Sequence, residues 1–175
     1  MIQTNWDIIT GPPSSGKTTL INLLASMGYT TSPEVARDYI NRLLQCHISL
    51  DMIQKDAWSL QRKILSIKLR KERQLPPDKK IFFDRGTPDS IAYYRFHNFP
   101  LTDAYKACSH RRYKRIFFCS GLPVERDGVR RENEDMAKLL GEYLFEAYVS
   151  LGYHPVVLPV TTVEERLNLI LRHDE

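Results

Sequence analysis

Short β-type runs alternate with longer amphipathic segments along nearly the whole chain of 175 residues. Strands are predicted at 6–10, 29–32, 80–84, 115–119 and 154–159. Helices are predicted at 16–27, 33–44, 50–74, 89–98, 101–108 and 133–152, and from 162 onward. Because strands and helices alternate, the pattern predicts an α/β fold: a doubly wound, five-stranded parallel sheet with helices on both faces.

Residues at the helix boundaries support this division. Gly28 and Gly152 each follow a helical segment, and glycine there adopts the left-handed conformation that ends a helix. The Ser-Pro-Glu sequence at 32–34 is predicted as the N-cap, first residue and first-turn acid of the second helix. The segment 50–74 is predicted as one helix because apolar residues recur on one face along its length.

The segment TGPPSSGKTT, residues 10–19, matches the pattern G-x-x-x-x-G-K-[ST]. Its glycines let the backbone curve so that N–H groups point at phosphate oxygens. Lys17 would bring a positive charge to the outer phosphates of ATP, and the Thr18 hydroxyl would bind Mg²⁺. A chance match in a flexible loop is the alternative, but a strand precedes the loop and a helix follows it, as the motif requires. The predicted ATP-binding residues are Gly11, Pro12, Pro13, Ser14, Ser15, Gly16, Lys17, Thr18 and Thr19.

Asp84 and Arg85 directly follow the apolar part of the third predicted strand. Ligands of doubly wound sheets bind beyond the carboxyl ends of the strands, so this pair should lie near the glycine loop. Asp84 could hold Mg²⁺ together with Thr18, or take a proton from an attacking hydroxyl. Arg85 could orient phosphates or substrate. The alternative is a salt bridge and turn without a role in chemistry.

Four segments together resemble one family: GPPSSGKTTL, PEVARDYI, FFDRGTPDSIAYY and RDGVRRE. They are similar to the AAA-type P-loop family that includes the ribosylnicotinamide kinase domain, and more distantly to thymidylate kinase and the nucleoside kinases. The resemblance covers nearly the whole chain. It implies an ATP- and Mg²⁺-dependent phosphotransferase fold more firmly than it implies any substrate.

The same resemblance implies an acceptor site. In nucleoside kinase-like sites an acid beyond the second strand meets the acceptor sugar, which is the role implied for Glu34. Arg37, one turn later, would pair with Glu34 or reach the acceptor. A first-turn acid stabilised by the helix dipole is the alternative for Glu34. The long helix would contribute Gln54, Trp58, Gln61 and Arg62 to the acceptor base. A Trp at helical spacing is also typical of a core.

The segment 121–133 is rich in Gly, Arg and acidic residues and has no apolar stripe to hold it on the core. It resembles the lid of nucleotide kinases, which implies a mobile segment that closes over ATP. Arg126, Arg130 and Arg131 would then stabilise the charge on the transferring phosphoryl group. The alternative is a solvated basic loop.

Composition indicates an ordinary globular protein, with 42% hydrophobic and 26% charged residues. The net charge of +4 does not by itself indicate nucleic-acid binding, because a nucleoside triphosphate accounts for the arginines near 125–132. No apolar run approaches the roughly 20 residues of a membrane span, and the N-terminus lacks the pattern of a secretory signal. Three separate cysteines form no C-x-x-C pair. We expect one domain over 1–175, a cytoplasmic location and a monomer or homodimer.

Three functions follow as hypotheses. The first is an ATP- and Mg²⁺-dependent kinase for a small hydroxyl-bearing, nucleoside- or nucleotide-like acceptor, with either Asp84 or Glu34 receiving the proton of the hydroxyl. The second is a P-loop NTPase that hydrolyses ATP in a regulatory role without an acceptor. The third is a nucleotide sensor without turnover, against which the combination of Lys17, Thr18 and Asp84 argues.

Overall fold

The structure, a computed structural model, describes the backbone of residues 1–121 and 130–173 and the side chains of residues 1–121 and 134–173. The strands are β1 (Ile2–Gln3), β2 (Trp6–Thr10), β3 (Thr31–Ser32), β4 (Ile81–Asp84), β5 (Arg111–Arg112), β6 (Arg115–Cys119) and β7 (Val156–Leu158). The helices are α1 (Lys17–Ser26), α2 (Val35–Gln45), α3 (Leu50–Lys55), α4 (Ala57–Gln74), α5 (Asp89–Phe96), α6 (Thr102–Cys108), α7 (Arg130–Ser150) and α8 (Val163–Arg172).

The main sheet has five strands in the order β3-β4-β2-β6-β7, and all neighbouring pairs are parallel. This confirms the predicted α/β fold with a five-stranded parallel sheet flanked by helices. The central strands end level with one another, because Ile9 on β2 lies beside Asp84 on β4 and Phe117 on β6. The glycine loop, which follows β2, therefore begins next to the carboxyl ends of both neighbours.

Alternating residues of the central strands pack on opposite faces of the sheet, as the two-residue period of a strand requires. Ile9, Phe82 and Phe117 face the cluster formed with α1 and α8, where Leu20, Leu24 and Ile170 are buried. Ile8, Phe83 and Ile116 face the other side, where they pack with Trp6 and Tyr148. Because helices cover both faces, the central strands β2 and β4 are buried along their whole length.

The structure differs from the prediction in several places. The segment 50–74 forms two helices, because the backbone turns at Asp56, whose carboxylate accepts a hydrogen bond from the Ser59 N–H and so caps α4. The second helix begins at Val35, with Ser32 buried in β3 rather than serving as N-cap. A two-stranded ladder of β1 and β5 was not predicted, because two-residue strands carry no periodic signal.

Within the described residues, no helix is both long enough and apolar enough to cross a membrane.

Candidate active site

The glycine loop needs glycine at its first position for two measurable reasons. Gly11 has a φ of 140°, in the region that side-chain-bearing residues rarely adopt. A Cβ atom on Gly11 would lie 2.3 Å from the backbone carbonyl oxygen of Cys119 at the end of β6. Ser14 and Gly16 also have positive φ, at 59° and 84°. Successive residues in such conformations turn backbone N–H groups toward one side, which forms an anion-binding concavity.

Replacing Gly11 with alanine should therefore cost more than replacing a glycine that has room for a side chain. Gly28 is the matched control: its φ is 90°, but nothing lies within 4 Å of a Cβ built there. We expect Gly28→Ala to lower the free energy of unfolding by about 1 kcal/mol from backbone strain alone. Gly11→Ala should lower it further, because the clash is with backbone, and should abolish ATP binding. Denaturant unfolding and calorimetry with ATP measure both effects; equal losses for the two variants would contradict the steric account.

Lys17 is buried and its ammonium group is folded onto the loop. It donates hydrogen bonds to the Pro12 carbonyl oxygen at 2.6 Å and to the Ser15 hydroxyl at 3.0 Å. Burial, and then the positive charge of Arg85, lower the pKa of Lys17 from 10.5 to about 8. The cation is thus poorly solvated and close to the concavity, so phosphate oxygens would compete well with its present partners.

Thr18 and Asp84 meet directly beside the loop. The Thr18 hydroxyl donates to Oδ2 of Asp84 at 3.0 Å, while Oδ1 of Asp84 is buried and has no hydrogen-bond partner among the described residues. Burial, followed by the charge of Glu34, raises the pKa of Asp84. A cation at this point would satisfy Oδ1 and favour the ionised carboxylate. The hydroxyl and carboxylate oxygens are donors suited to Mg²⁺, which takes few protein ligands and relies on substrate phosphates for the rest.

No group of three or more His, Cys, Asp and Glu side chains in the described part of the chain could hold a metal ion by itself.

Glu34 and Arg85 form an ion pair between the ends of β3 and β4. Nε of Arg85 lies 3.2 Å from Oε1 of Glu34, and Nε of Arg37 lies 3.7 Å from Oε2. Glu34 occupies the N-cap position of α2, yet its side chain makes no capping hydrogen bond. The carboxylate is therefore directed to the arginines, and the simple explanation of a helix-start acid does not describe its contacts.

Arg85 is held in place by Asp89, which the sequence pattern did not single out. The backbone of Arg85 has a φ of 67°, which is unusual for a residue with a side chain. Oδ1 of the fully buried Asp89 accepts from Nη1 of Arg85 at 3.0 Å and from the Thr10 hydroxyl at 2.7 Å. Oδ2 accepts from the Gly86 N–H at 3.0 Å and the Tyr148 hydroxyl at 2.5 Å. The four bonds stabilise the strained turn after β4.

A cavity of about 260 Å³ opens between α2 and α4, next to the Glu34–Arg85 pair. Its charged and polar lining residues are Glu34, Arg37, Asn41, Gln61, Lys68, Arg85 and Tyr93, and its apolar ones are Ala36, Ile40, Leu60 and Ile64. Of the predicted acceptor residues, the structure thus brings Glu34, Arg37 and Gln61 together. Trp58 lies elsewhere: its ring packs on Tyr94 and Phe99 at centroid distances of 5.5 and 4.9 Å, so it belongs to the core.

Helices α3 and α4 carry two predicted acceptor residues that do not line the cavity, and a lysine that lines it but was not predicted. Arg62 lies over the Trp58 ring, 5.5 Å from its centroid, and does not line the cavity; neither does Gln54 on α3. Lys68 was not predicted, although it is buried in the cavity wall and donates to the Gly86 carbonyl oxygen at 2.9 Å. The sequence does contain a signal for Lys68, because this lysine lies on the apolar face of a predicted helix.

The predicted lid, 121–133, lies mostly outside the described residues. Arg126 falls in the undescribed segment, and Arg130 and Arg131 lie in the first turn of α7 with side chains that are not described. The roles of these arginines therefore remain predictions.

The parallel sheet and the glycine loop after β2 define a P-loop α/β protein. The chain belongs to an AAA domain family, whose model matches residues 7–166. This confirms the P-loop family inferred from the motifs. No curated protein sequence matches the chain.

Several solved structures share the fold. Thymidylate kinase from Ehrlichia chaffeensis superposes with a TM-score of 0.72 at 12% identity over 100% of both chains. Deoxyadenosine kinase from M. mycoides, solved with dCMP and dCDP, gives a TM-score of 0.65 at 16% identity over 96% of this chain and 97% of that one. A NadR protein in complex with NAD and AMP-PNP gives 0.67 at 19% identity over 97% of this chain. The chain spans about half of that NadR chain, 49% of its length. These likenesses establish the fold.

Proposed function

We propose that this protein is an ATP- and Mg²⁺-dependent kinase that phosphorylates a hydroxyl group of a small, nucleoside-like acceptor. The observation that carries the proposal is the Glu34–Arg85 ion pair, which lies at a cavity of acceptor size while Thr18 and Asp84 meet beside the glycine loop. A carboxylate, a metal-binding pair and a phosphate loop at one sheet edge are the parts that phosphoryl transfer requires.

The two carboxylates differ in their surroundings, and this supports different roles for them. Asp84 is bonded to Thr18 and is not part of the cavity lining, so we assign it to Mg²⁺, directly or through water. Glu34 lines the cavity, so we assign it to the acceptor. Its carboxylate would take the proton as the acceptor oxygen attacks the γ-phosphorus and the bond from that phosphorus to the β,γ-bridging oxygen breaks, which releases ADP. Arg85 would hold the carboxylate in position.

The residues of the glycine loop would bind the donor. Lys17 would exchange its bonds to Pro12 and Ser15 for oxygens of the β- and γ-phosphates, and the backbone N–H groups of the loop would hold the remaining oxygens. When bound, Mg²⁺ would neutralise charge on the phosphate oxygens. Arg126, Arg130 and Arg131 are proposed to cover the γ-phosphate, as expected from the lid resemblance.

The charges of the cavity favour an acceptor without a phosphate group. Arg85 is already paired with two carboxylates, those of Glu34 and Asp89. Lys68 donates to the Gly86 carbonyl and, at 3.4 Å, to the Ser90 hydroxyl. Arg37 is the most exposed cation of the lining, at 62%, and it faces Glu34. A phosphomonoester would have to displace these pairs and lie next to Glu34, whereas a hydroxyl can donate to that carboxylate.

The experiment is a screen of ADP release with ATP and Mg²⁺ against nucleosides, including ribosylnicotinamide, and against the matching nucleoside 5′-monophosphates. We expect turnover that depends on a nucleoside and exceeds that with its monophosphate. Turnover only with monophosphates would overturn the choice of acceptor. Equal turnover in water alone would overturn the kinase and indicate an NTPase.

A further inference from the structure

Arg166 on α8 is a buried cation that touches the glycine loop from behind. Its side chain is 2% exposed. The guanidinium donates to three backbone carbonyl oxygens: Ser15 at 2.6 Å, Pro159 at 2.7 Å and Ser120 at 3.2 Å. These acceptors lie in the loops that follow β2, β7 and β6. One side chain thus joins three loops at the edge of the sheet where ligands bind.

No carboxylate accounts for this burial in the part of the chain that the structure describes. The ion pairs there involve other arginines and lysines: Arg37, Lys80, Arg85, Arg95 and Arg115. Burying a guanidinium against neutral carbonyls is costly unless its charge is used. The nearest functional element is the loop that we propose to hold a triphosphate, so the charge of Arg166 would act on that anion.

The bond to Ser15 also sets the direction of one peptide group. All described peptide bonds are trans, so the Ser15 carbonyl and the Gly16 N–H point in opposite directions. Arg166 draws the carbonyl to itself, and the Gly16 N–H therefore points away from Arg166. Ser14 and Gly16, on either side, have the positive φ angles of an anion-binding loop. Without the guanidinium this peptide would lose the hydrogen bond that fixes the direction of its carbonyl oxygen.

We propose that Arg166 is a positioning residue for the donor nucleotide. It holds the Ser15–Gly16 peptide so that the Gly16 N–H remains available to phosphate oxygens, and it adds a buried positive charge to the loop. The proposal rests on the proposed function only in that ATP binds the glycine loop. It predicts an effect on ATP and none on the acceptor, because Arg166 does not line the cavity beside Glu34.

The test compares Arg166→Met and Arg166→Lys with a matched control, Arg112→Met. Arg112 also donates two hydrogen bonds to backbone carbonyls, those of Leu151 and Gly152, both at 2.6 Å, but at the end of α7. The measurements are the Kd of ATP and of inorganic tripolyphosphate by calorimetry, the KM of ATP and of the acceptor, and the Tm. The purified full chain is used throughout.

We expect Arg166→Met to raise the Kd of ATP and of tripolyphosphate by at least about tenfold, which corresponds to roughly 1.4 kcal/mol. The KM of the acceptor should change by less than about twofold, because Arg166 acts on the phosphates of ATP and not on the acceptor. The Kd of ATP for Arg166→Lys should lie between those of the unmodified protein and of Arg166→Met. Lysine keeps the charge but cannot form three hydrogen bonds in the same geometry. Arg112→Met should lower the Tm and leave the Kd of ATP unchanged.

Several outcomes would overturn the proposal. If Arg166→Met folds and binds ATP as tightly as the unmodified protein, the role of Arg166 is purely structural. If Arg166→Met does not fold, Arg166→Lys decides: an unchanged Kd of ATP rejects the positioning role, and a raised Kd with unchanged acceptor KM supports it. Failure of the unmodified protein to bind ATP would instead reject the proposed function, so the two failures are distinguishable.

Discussion

Lys17→Ala should remove most phosphoryl transfer while leaving the fold intact. The loss expected is about 10²–10³-fold in kcat, the range found when one electrostatic stabiliser of a transition state is removed. Lys17 supplies charge at the phosphate site, and its bonds in the structure go to the loop itself, at Pro12 and Ser15. The measurement is acceptor-dependent ADP release, together with the Kd of ATP.

Burial of Lys17 calls for a volume-matched control. Lys17→Met keeps most of the side chain and removes only the charge and its hydrogen bonds, so its activity should be as low as that of Lys17→Ala. Its Tm should remain closer to that of the unmodified protein. Near-normal turnover in either variant would show that the glycine loop is not the ATP site.

The order of the main strands and helices could be predicted because the spacing of apolar residues along the chain reflects which side chains are buried. Ile8 and Ile9 face opposite sides of the sheet and both are fully buried, so their strand reads as a continuous apolar run. Asp7 shows the limit of that interpretation. It lies in the same strand, fully buried, and is bonded to Arg115 at 3.0 and 2.7 Å and to Lys80. Both partners are distant from Asp7 in the sequence, so only the fold shows why a buried carboxylate is tolerated at this position.

The glycine loop and Asp84 could be predicted because their chemistry is local: the residue types follow one another and directly follow a strand. Asp89 and Arg166 could not, because their roles depend on what lies opposite them. Asp89 accepts from Thr10, which is 79 residues away in sequence. Arg166 donates to Ser15, which is 151 residues away. In the sequence each is an ordinary polar residue in or next to a helix.

The break at Asp56 illustrates a third limit. Apolar residues continue on one face from 50 to 74, so periodicity alone favours one helix. Asp56 interrupts it because its side chain caps the following helix through Ser59. The interruption separates α3 from α4, and α4 then carries Gln61 and Lys68 in the cavity wall. Local capping chemistry therefore decides which part of the segment borders the cavity.

Asp84→Asn and Glu34→Gln should separate the two carboxylates. If Asp84 holds Mg²⁺, Asp84→Asn should lower turnover with every acceptor and raise the Mg²⁺ concentration needed for activity, because an amide is a weaker ligand for a hard cation. Oδ1 of Asp84, now without a hydrogen-bond partner among the described residues, is the atom we assign to that ion. Kinetics at graded Mg²⁺ concentrations measure the change.

Glu34→Gln should instead damage acceptor-dependent transfer, by about 10²–10⁴-fold as for loss of a general base, and leave any background ATP hydrolysis and the Mg²⁺ requirement close to normal. The amide keeps the size of the side chain, so Arg85 loses only the charge of one of its two carboxylate partners.

Unchanged acceptor kinetics in Glu34→Gln would mean that Glu34 is a partner of Arg85 and takes no part in the chemistry. If Asp84→Asn affected only the acceptor and Glu34→Gln only the metal, the two roles would be reversed. Loss of both dependences in both variants would mean that the carboxylates act as one coupled unit, as the influence of Glu34 on the pKa of Asp84 allows.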